Sequence, residues 1–251
     1  MATSVPPALR LDTVTVRFGG IVAVDRVSME MAPGQRWAVI GPNGAGKTTL
    51  FRSVSGEVLP TSGTIELFGE DITRKPAHQR AHRGIGRTYQ VTNLFPALSV
   101  EENVMMASQG LSKSRFRCWS PIRLSGAFGD RVQWALEQVE LNNRRSRIVS
   151  ELSHGEQRQL ELAMGLASQP KLLLLDEPAA GLSASERVLM RRLIDGLPGD
   201  LTLVLIEHDM GLALELVQWV VVLDNGEMIA TGTPEEIRGN QKVQDVYLKS
   251  E

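Results

Sequence analysis

Apolar and polar residues alternate in two early segments of the chain. The apolar members are Val14, Val16 and Phe18, then Val27, Met29 and Met31. Because successive side chains of a strand point to opposite faces, this alternation predicts two half-buried antiparallel strands. The Gly19-Gly20 pair between them predicts the turn. The chain therefore begins with a small antiparallel β-layer.

Continuous apolar runs further along predict strands that are buried on both faces. They are Trp37 to Ile40, Leu172 to Leu175 and Leu203 to Ile206. A predicted helix from Ala184 to Leu197 joins the last two runs, which is the connection that parallel strands require. Ile65 to Phe68 adds a strand, and Asp224-Asn225-Gly226 predicts a late hairpin between Val220 to Leu223 and Glu227 to Ala230. We expect a mixed, mainly parallel sheet.

The middle of the chain has helical periodicity without intervening strands. The segments are Val100 to Met106, Arg131 to Val139 and Glu156 to Ala167. They predict a helical subdomain, approximately residues 92–166, inserted into a single α/β domain of residues 1–251. Near the end of the chain, Thr233-Pro234-Glu235-Glu236 predicts the start of a final helix through a capping box and an N1 proline.

Composition narrows the possible classes of protein. Of 251 residues, 42% are hydrophobic, and the chain has 27 Lys and Arg residues and 29 Asp and Glu residues. The formal net charge of −2 offers no basic excess for nucleic acid or anionic lipid. No apolar run approaches the ~20 residues that span a bilayer, so we expect a cytoplasmic protein whose membrane contact comes through a partner. Cys118 is the only cysteine, which excludes an internal disulfide.

A glycine-rich segment links the first buried run to a predicted helix, Lys47 to Val54. Its residues are Gly41, Pro42, Asn43, Gly44, Ala45, Gly46, Lys47 and Thr48, with Thr49 next in the helix. Such a loop lets backbone N–H groups converge on phosphate oxygens, and the helix N-terminus adds partial positive charge. This P-loop pattern predicts triphosphate binding, with Lys47 at the β and γ phosphates and the Thr48 hydroxyl on Mg²⁺.

Two carboxylates, Asp176 and Glu177, directly follow the run that ends at Leu175. That placement puts them at the carboxyl end of a parallel strand, the edge at which α/β sheets bind ligands. We expect Asp176 to be an outer Mg²⁺ ligand. Glu177 is placed to polarise the attacking water, a role that typically contributes roughly 10²–10⁴ in rate.

The segment Leu152-Ser153-His154-Gly155-Glu156-Gln157 precedes these carboxylates. Ser153 and Glu156 have capping-box spacing, so Ser153 should stand at a helix N-terminus. On spacing alone, a plain helix cap is the simpler interpretation. The segment also resembles the signature of ATP-binding cassette (ABC) ATPases, usually Leu-Ser-Gly-Gly-Gln. That resemblance implies that Ser153, Gly155 and Glu156 complete the phosphate site of a second subunit.

Three further residues resemble functional positions of ABC ATPases. Gln90 resembles the Q-loop glutamine that lies near Mg²⁺, and His208 resembles the switch histidine that contacts the γ-phosphate. Phe18 resembles the aromatic residue that stacks on adenine. Taken singly, they could equally be a surface glutamine, a structural histidine and a core strand residue. The order of all the motifs is nevertheless that of an ABC ATPase. It implies catalytic roles for Glu177, His208, Lys47 and Gln90, and Mg²⁺ contacts for Thr48, Gln90 and Asp176.

The resemblance extends to the ATP-binding subunits of branched-chain, or hydrophobic, amino-acid uptake transporters. It is carried by Phe18-Gly19-Gly20, Arg87-Thr88-Tyr89-Gln90 leading to Leu94-Phe95, Asp176 to Leu182, and the tail from Gly232 to Tyr247. His154 and Glu156 depart from the usual signature, and Ser183 stands where the D-loop commonly has Asp. These departures raise the alternative of reduced hydrolysis.

The resemblance implies an ATPase that uses ATP and Mg²⁺ and works as a homodimer or paralogous heterodimer. Its expected partners are transmembrane permease subunits and an external solute-binding protein, with no nucleic acid. It would lie peripherally on the inner face of the cell membrane. The alternatives are an ABC ATPase for another small solute (an amide, a urea-like compound or a lipid) and a non-transport regulatory ABC ATPase.

Overall fold

A computed structural model of the chain describes residues 5–88, 94–109 and 127–248, without the side chains of residues 127 and 248. The strands are β1 (Leu9–Phe18), β2 (Ile21–Met31), β3 (Arg36–Ile40), β4 (Ser62–Leu67), β5 (Glu70–Asp71), β6 (Ile85–Arg87), β7 (Leu172–Asp176), β8 (Thr202–Ile206), β9 (Trp219–Asp224) and β10 (Glu227–Gly232). The helices are α1 (Lys47–Ser55), α2 (Ala77–Ala81), α3 (Val100–Gln109), α4 (Ala127–Gln138), α5 (His154–Ala167), α6 (Ala184–Asp195), α7 (Met210–Leu216), α8 (Pro234–Arg238) and α9 (Gln241–Leu248). The chain divides into two compact units, residues 1–85 with 199–251, and residues 86–198.

The first unit contains the predicted antiparallel β-layer, with the strand order β2-β1-β4-β5. Leu9 lies opposite Met31 on one side and Leu67 on the other, and all three side chains are buried. β1 starts at Leu9, earlier than the alternation from Val14 predicts. Thr13 has a φ of 49° and the register shifts beside it, so the two-residue period is broken within the strand.

The same unit contains the strand from which the glycine-rich loop leaves. β3 lies between β8 and β9 and is parallel to both, and β10 is antiparallel to β9. Trp37 and Trp219 stack between β3 and β9, with ring centroids 5.6 Å apart. Because β3 has parallel neighbours on both sides, its carboxyl end lies at one edge with those of β8 and β9. The mixed α/β fold expected from the sequence is confirmed.

The second unit combines β7 with the helices of the middle segment. The Thr88 N–H donates to the Leu174 carbonyl at 2.9 Å, which joins the end of β6 to β7. α3, α4 and α5 pack on one another, and Val104, Leu136 and Leu160 are fully buried. The helical periodicity is therefore confirmed in all three segments. The single domain of residues 1–251 and the subdomain limits near 92 and 166 stay predictions.

Several elements differ from the sequence-based expectation. α6 ends at Asp195 rather than Leu197, because Gly196 is its C-cap. The predicted last helix is two helices, since α8 ends before Gly239 and Asn240 accepts N–H groups at the start of α9. β5, β6, α2 and α7 were not predicted. Among the described residues, no helix combines the length and the apolar character needed to cross a lipid bilayer.

Candidate functional site

The glycine-rich loop presents a helix N-terminus that no side chain among the described residues caps. Gly46 is the N-cap of α1, with a φ of 98°, and the first turn carries no acidic residue. The first N–H groups of a helix have no acceptor within the helix. Together with the positive end of the helix dipole, they form a site suited to a phosphate group.

Two glycines of the loop are required by close approaches of the backbone. A Cβ on Gly41 would lie 2.1 Å from the Leu223 carbonyl oxygen, and one on Gly46 would lie 2.3 Å from that of Ala23. Gly226, in the β9–β10 turn, donates its N–H to the Ala45 carbonyl at 3.1 Å. The loop is therefore held against neighbouring backbone from two directions.

The Lys47 side chain turns back into the loop and is only 5% exposed. Its Nζ donates to the Gly41 carbonyl at 2.7 Å and to the Pro42 carbonyl at 2.9 Å. The ammonium charge thus lies inside the curve of the loop. Asn43, Gly44 and Thr48 are exposed at the same place, and Thr49 is half-buried. The lysine and the Thr48 hydroxyl are both compatible with the roles predicted for them.

Phe18 and His208 belong to the same unit, and both are exposed. Phe18 ends β1 and is 48% exposed, so the alternative of a core strand residue is wrong. His208 follows β8 after the buried Glu207, and its exposure argues against a core histidine. Their predicted contacts with adenine and the γ-phosphate stay predictions.

Asp176 and Glu177 lie at the end of β7 and are 2% and 5% exposed. Arg87 Nη2 donates to Asp176 Oδ2 at 3.0 Å, and the Asp176 N–H donates to Thr88 Oγ1 at 3.3 Å. Glu177 has a φ of 51°, in the left-handed region that few non-glycine residues adopt. Such strain clusters at functional sites, because only a rigid surrounding structure can maintain it.

The capping box predicted at Ser153 is present at the start of α5. Ser153 Oγ accepts the Glu156 N–H at 3.2 Å, and Glu156 Oε2 accepts the Ser153 N–H at 2.9 Å. Arg144 Nε donates to the other oxygen of Glu156 at 3.1 Å. The Ser153 N–H lowers the pKa of the Glu156 carboxyl, and Arg144 lowers it further. Glu156 therefore turns toward its own helix. Ser153 is exposed.

A second capping box lies beside the first. Ser183 is the N-cap of α6, and Glu186 accepts both its N–H and its hydroxyl. A Cβ on Gly155 would lie 2.4 Å from Glu186 Oε1, so the starts of α5 and α6 are close. His154 Nε2 in turn would lie 3.0 Å from a Cβ on Gly181. The structure thus brings the predicted signature together with the loop that follows Glu177.

Comparisons with known proteins agree with this architecture. A family model described as ABC transporter matches residues 24–180. The branched-chain amino acid transport ATP-binding protein BraF of Pseudomonas aeruginosa is 38% identical over 96% of this chain and 98% of its own. The chain belongs to the ABC transporter family. It is therefore an ATPase of the class that provides the ATP-binding subunits of transporters.

Further matches extend over nearly all of this ABC ATPase. LivG of Escherichia coli K12, named as a high-affinity branched-chain amino acid transport ATP-binding protein, is 39% identical over 96% of the chain and 98% of its own. Residues 227–248 match the family described as branched-chain amino acid ATP-binding cassette transporter. The solved ADP conformation of MJ1267, an ABC transporter cassette, has a TM-score of 0.86 at 27% identity, covering 96% of this chain and 98% of that one.

Sequence reasoning missed two residues beside the ABC motifs. In the sequence, Arg87 stands out only as part of the family-like stretch that leads to Gln90, and no ABC motif includes Glu186. A capping-box spacing from Ser183 could have revealed Glu186, because it repeats the spacing of Ser153 and Glu156. No local signal pairs Arg87 with Asp176, 89 positions away. Gln90 and Cys118 lie outside the described residues.

Proposed function

We propose that this chain is the ATP-hydrolysing subunit of an importer for branched-chain or other hydrophobic amino acids. The observation that carries the proposal is the match of residues 227–248 to the branched-chain family, outside the part of the chain that matches the general ABC model. BraF and LivG, which match almost end to end, bear names of the same transport class.

Nucleotide binding is assigned to the residues of the glycine-rich loop. They are Gly41, Pro42, Asn43, Gly44, Ala45, Gly46, Lys47, Thr48 and Thr49, with Phe18 stacking on the adenine. The start of α1, which has no side-chain cap among the described residues, and the in-turned ammonium of Lys47 support this assignment. The N–H groups would bind the phosphates, and Lys47 would exchange its carbonyl partners for β and γ oxygens.

The residues assigned to Mg²⁺ are Thr48, Gln90 and Asp176. A hydroxyl, an amide oxygen and a carboxylate are the hard oxygen donors that this ion prefers. When bound, Mg²⁺ would neutralise the charge that develops on the phosphate oxygens. Arg87 holds the Asp176 carboxylate in one orientation through its 3.0 Å hydrogen bond.

Hydrolysis is assigned to Glu177 and His208, with Gln90 and Lys47 completing the catalytic set. Glu177 would orient and polarise the attacking water, and His208 would contact the γ-phosphate. The buried position of Glu177 supports this role, since a water-poor site strengthens the interaction of its charge with the reacting groups. Its left-handed backbone supports a fixed direction for the side chain.

The site would be completed by a second ATP-binding subunit. Ser153, Gly155 and Glu156 would face the terminal phosphate of a nucleotide held by the partner. Ser153 is exposed, which supports this assignment. The Glu156 carboxylate is directed to its own helix and thus away from the phosphate, which supports it as well. The dimer would act on transmembrane permease subunits at the inner face of the membrane, with an external solute-binding protein delivering the amino acid.

The test is reconstitution with the permease subunits that co-purify with the chain. ATP turnover in proteoliposomes would be measured with an external binding protein loaded with leucine, isoleucine or valine, and with sulfate or urea as unrelated solutes. We expect stimulation and uptake with the amino acids only. Stimulation by another solute class would overturn the substrate assignment, and co-purification with no permease would overturn the transport role.

A further inference from the structure

Glu186 caps the helix on which it lies. Its Oε2 accepts the Ser183 N–H at 2.9 Å and the Ser183 hydroxyl at 2.7 Å. In return, Ser183 Oγ accepts the Glu186 N–H at 3.4 Å. Ser183 is the last residue of the loop that begins at Glu177. One carboxylate oxygen therefore fixes the far end of the segment that carries the predicted catalytic glutamate.

The other oxygen of the same carboxylate lies against a different helix. Glu186 Oε1 would be 2.4 Å from a Cβ on Gly155, so a larger residue there would push the Glu186 side chain aside. The Gly155 N–H, after Ser183, is one of the groups that lower the pKa of the Glu186 carboxyl. Gly155 is the second residue of α5, where N–H groups have no acceptor within the helix. Glu186 thus serves as the anion at this helix N-terminus.

The capping box of α8 differs in this respect. Glu236 Oε2 accepts the Thr233 N–H at 2.7 Å, and Thr233 Oγ1 accepts the Glu236 N–H at 3.3 Å. A Cβ on Gly232, which directly precedes the N-cap, would lie 2.5 Å from this carboxylate, so Glu236 stays at its own helix end. Glu186 and Glu236 therefore share one local structure, and only Glu186 of this pair bridges to α5.

A phosphate arriving at the start of α5 would compete with this carboxylate. Both are anions, and both are attracted to the same N–H groups and the same end of the helix dipole. Because hydrogen bonds to charged groups are roughly twice as strong as neutral ones, a carboxylate competes for this position better than a neutral side chain does. Glu156, the other acid here, is already paired with Arg144 and the Ser153 N–H.

We propose that Glu186 is a positioning residue that holds the start of α5 to the Glu177–Ser183 loop until the partner subunit's nucleotide phosphate replaces it at the Gly155 amide. This inference rests on the proposed function, in which the signature binds the nucleotide of a second subunit. Release of Gly155 frees Glu186 from its bridge between α5 and α6. Nucleotide engagement by one chain is thereby transmitted to the segment that follows its own Glu177.

The experiment measures how much ATP is needed to form the dimer. Glu177→Gln serves as the parent, because slow hydrolysis lets an ATP-bound dimer accumulate, and light scattering after gel filtration reports its mass. Glu186→Gln in this parent keeps an oxygen acceptor but removes the charge. We expect half-maximal dimerisation at a MgATP concentration at least roughly threefold below that of the parent, because a weaker, uncharged competitor lies at the Gly155 amide.

Glu236→Gln in the same parent is the matched control. It removes a capping carboxylate of the same geometry, so both variants should lose a similar contribution from helix capping. Glu236→Gln should leave the MgATP requirement unchanged. Glu186→Asp is the second variant, because its shorter side chain keeps the charge near Ser183 and withdraws from Gly155. It should also lower the MgATP requirement. Because Glu186→Asp keeps the negative charge, this variant can fold even if an uncharged residue at this position is not tolerated.

The outcomes separate this inference from the proposed function. A parent that dimerises normally, with both Glu186 variants at the parent's MgATP midpoint, would overturn the inference alone. A shift of the same size in Glu236→Gln would also overturn it, because the effect would then belong to helix capping in general. A parent that stays monomeric at saturating MgATP would overturn the proposed site between two subunits, and this inference with it.

Discussion

Arg80 is fully buried and donates hydrogen bonds to four backbone carbonyls. Its Nη1 reaches those of Ser53 and Val54 in the last turn of α1, at 2.6 and 2.9 Å, while Nε and Nη2 reach those of Lys75 and Thr73. Burial lowers the pKa of the guanidinium to about 10, which still leaves it charged at neutral pH. The cation therefore satisfies carbonyls at the negative end of the helix that begins at Lys47.

We expect Arg80→Met to lower the free energy of unfolding by about 3 kcal/mol or more, because several buried carbonyls lose their donor. Urea denaturation followed by circular dichroism measures this difference. Arg83→Met is the control, since Arg83 pairs with Glu70 at the surface and exposed ion pairs contribute about 0–1 kcal/mol. Equal losses in both variants would show that the buried carbonyl contacts of Arg80 contribute little.

Gly41 is the residue at which the P-loop backbone passes closest to a neighbouring strand. Its φ is 146°, and any Cβ would collide with the Leu223 carbonyl of β9. We expect Gly41→Ala to move the loop and to weaken ATP binding at least tenfold, because the Gly41 carbonyl also holds Lys47 Nζ. Fluorescent-nucleotide titration measures the affinity.

Gly20→Ala is the control for Gly41→Ala. Gly20 has no atom within 4 Å of an added Cβ, and it lies in the β1–β2 turn. This variant should bind ATP as the unchanged chain does. Near-normal affinity in Gly41→Ala would mean that the loop geometry around residue 41 is not needed for nucleotide binding.

At the scale of the elements, α5 depends on the ionised form of Glu156. The Ser153 N–H lowers the pKa of this carboxyl in the folded chain below its ordinary value of 4.5. A carboxyl with a lowered folded pKa contributes stability that is present above the ordinary pKa and is lost as pH falls through the folded value. The capping contribution should therefore be present at neutral pH and disappear in acid.

We expect Glu156→Gln to melt below the unchanged chain at pH 7, with the difference shrinking as pH falls below about 4.5. Thermal melts between pH 3.5 and 7.5 measure this difference. Because Glu156 is partly exposed, the effect should be small and should weaken in high salt. A constant difference across the whole range would assign the stabilisation to side-chain shape rather than charge.

The elements that could be predicted are those whose pattern is long or whose turn residues are distinctive. The buried runs of β3, β7 and β8 and the capping box of α5 are examples. β6 has three residues, too few for any period to show, and α7 has seven. Asp209 is the N-cap of α7 and accepts the Leu212 N–H at 3.1 Å. It is the residue in the sequence that indicates the start of this helix.

The candidate site was predictable where chemistry follows directly on an element. Lys47 opens α1, and Asp176 ends β7, so a strand or helix boundary places each of them. Arg87 and Glu186 were missed because their importance comes from contacts with residues distant in sequence. Arg87 meets Asp176 through the pairing of β6 and β7, and Glu186 meets Gly155 through the approach of α6 to α5.

At the scale of the whole molecule, the proposed function requires both binding and hydrolysis of ATP. We expect Glu177→Gln to lower ATP turnover by roughly 10²–10⁴, because the amide cannot accept a proton from the attacking water. Nucleotide affinity should be nearly unchanged, since the predicted phosphate contacts come from the loop at Lys47. Steady-state phosphate release and fluorescent-nucleotide titration measure the two quantities separately.

The control for Glu177→Gln is Glu235→Gln, an exposed glutamate in the first turn of α8. It should keep normal turnover. That result would exclude the loss of one negative charge, by itself, as the cause of slow turnover in Glu177→Gln. Glu177→Gln should also hold two chains together in MgATP, because the proposed dimer would open only after the γ-phosphate is cleaved. Normal turnover in this variant would remove the assignment of Glu177 as general base, and another group would then have to activate the water.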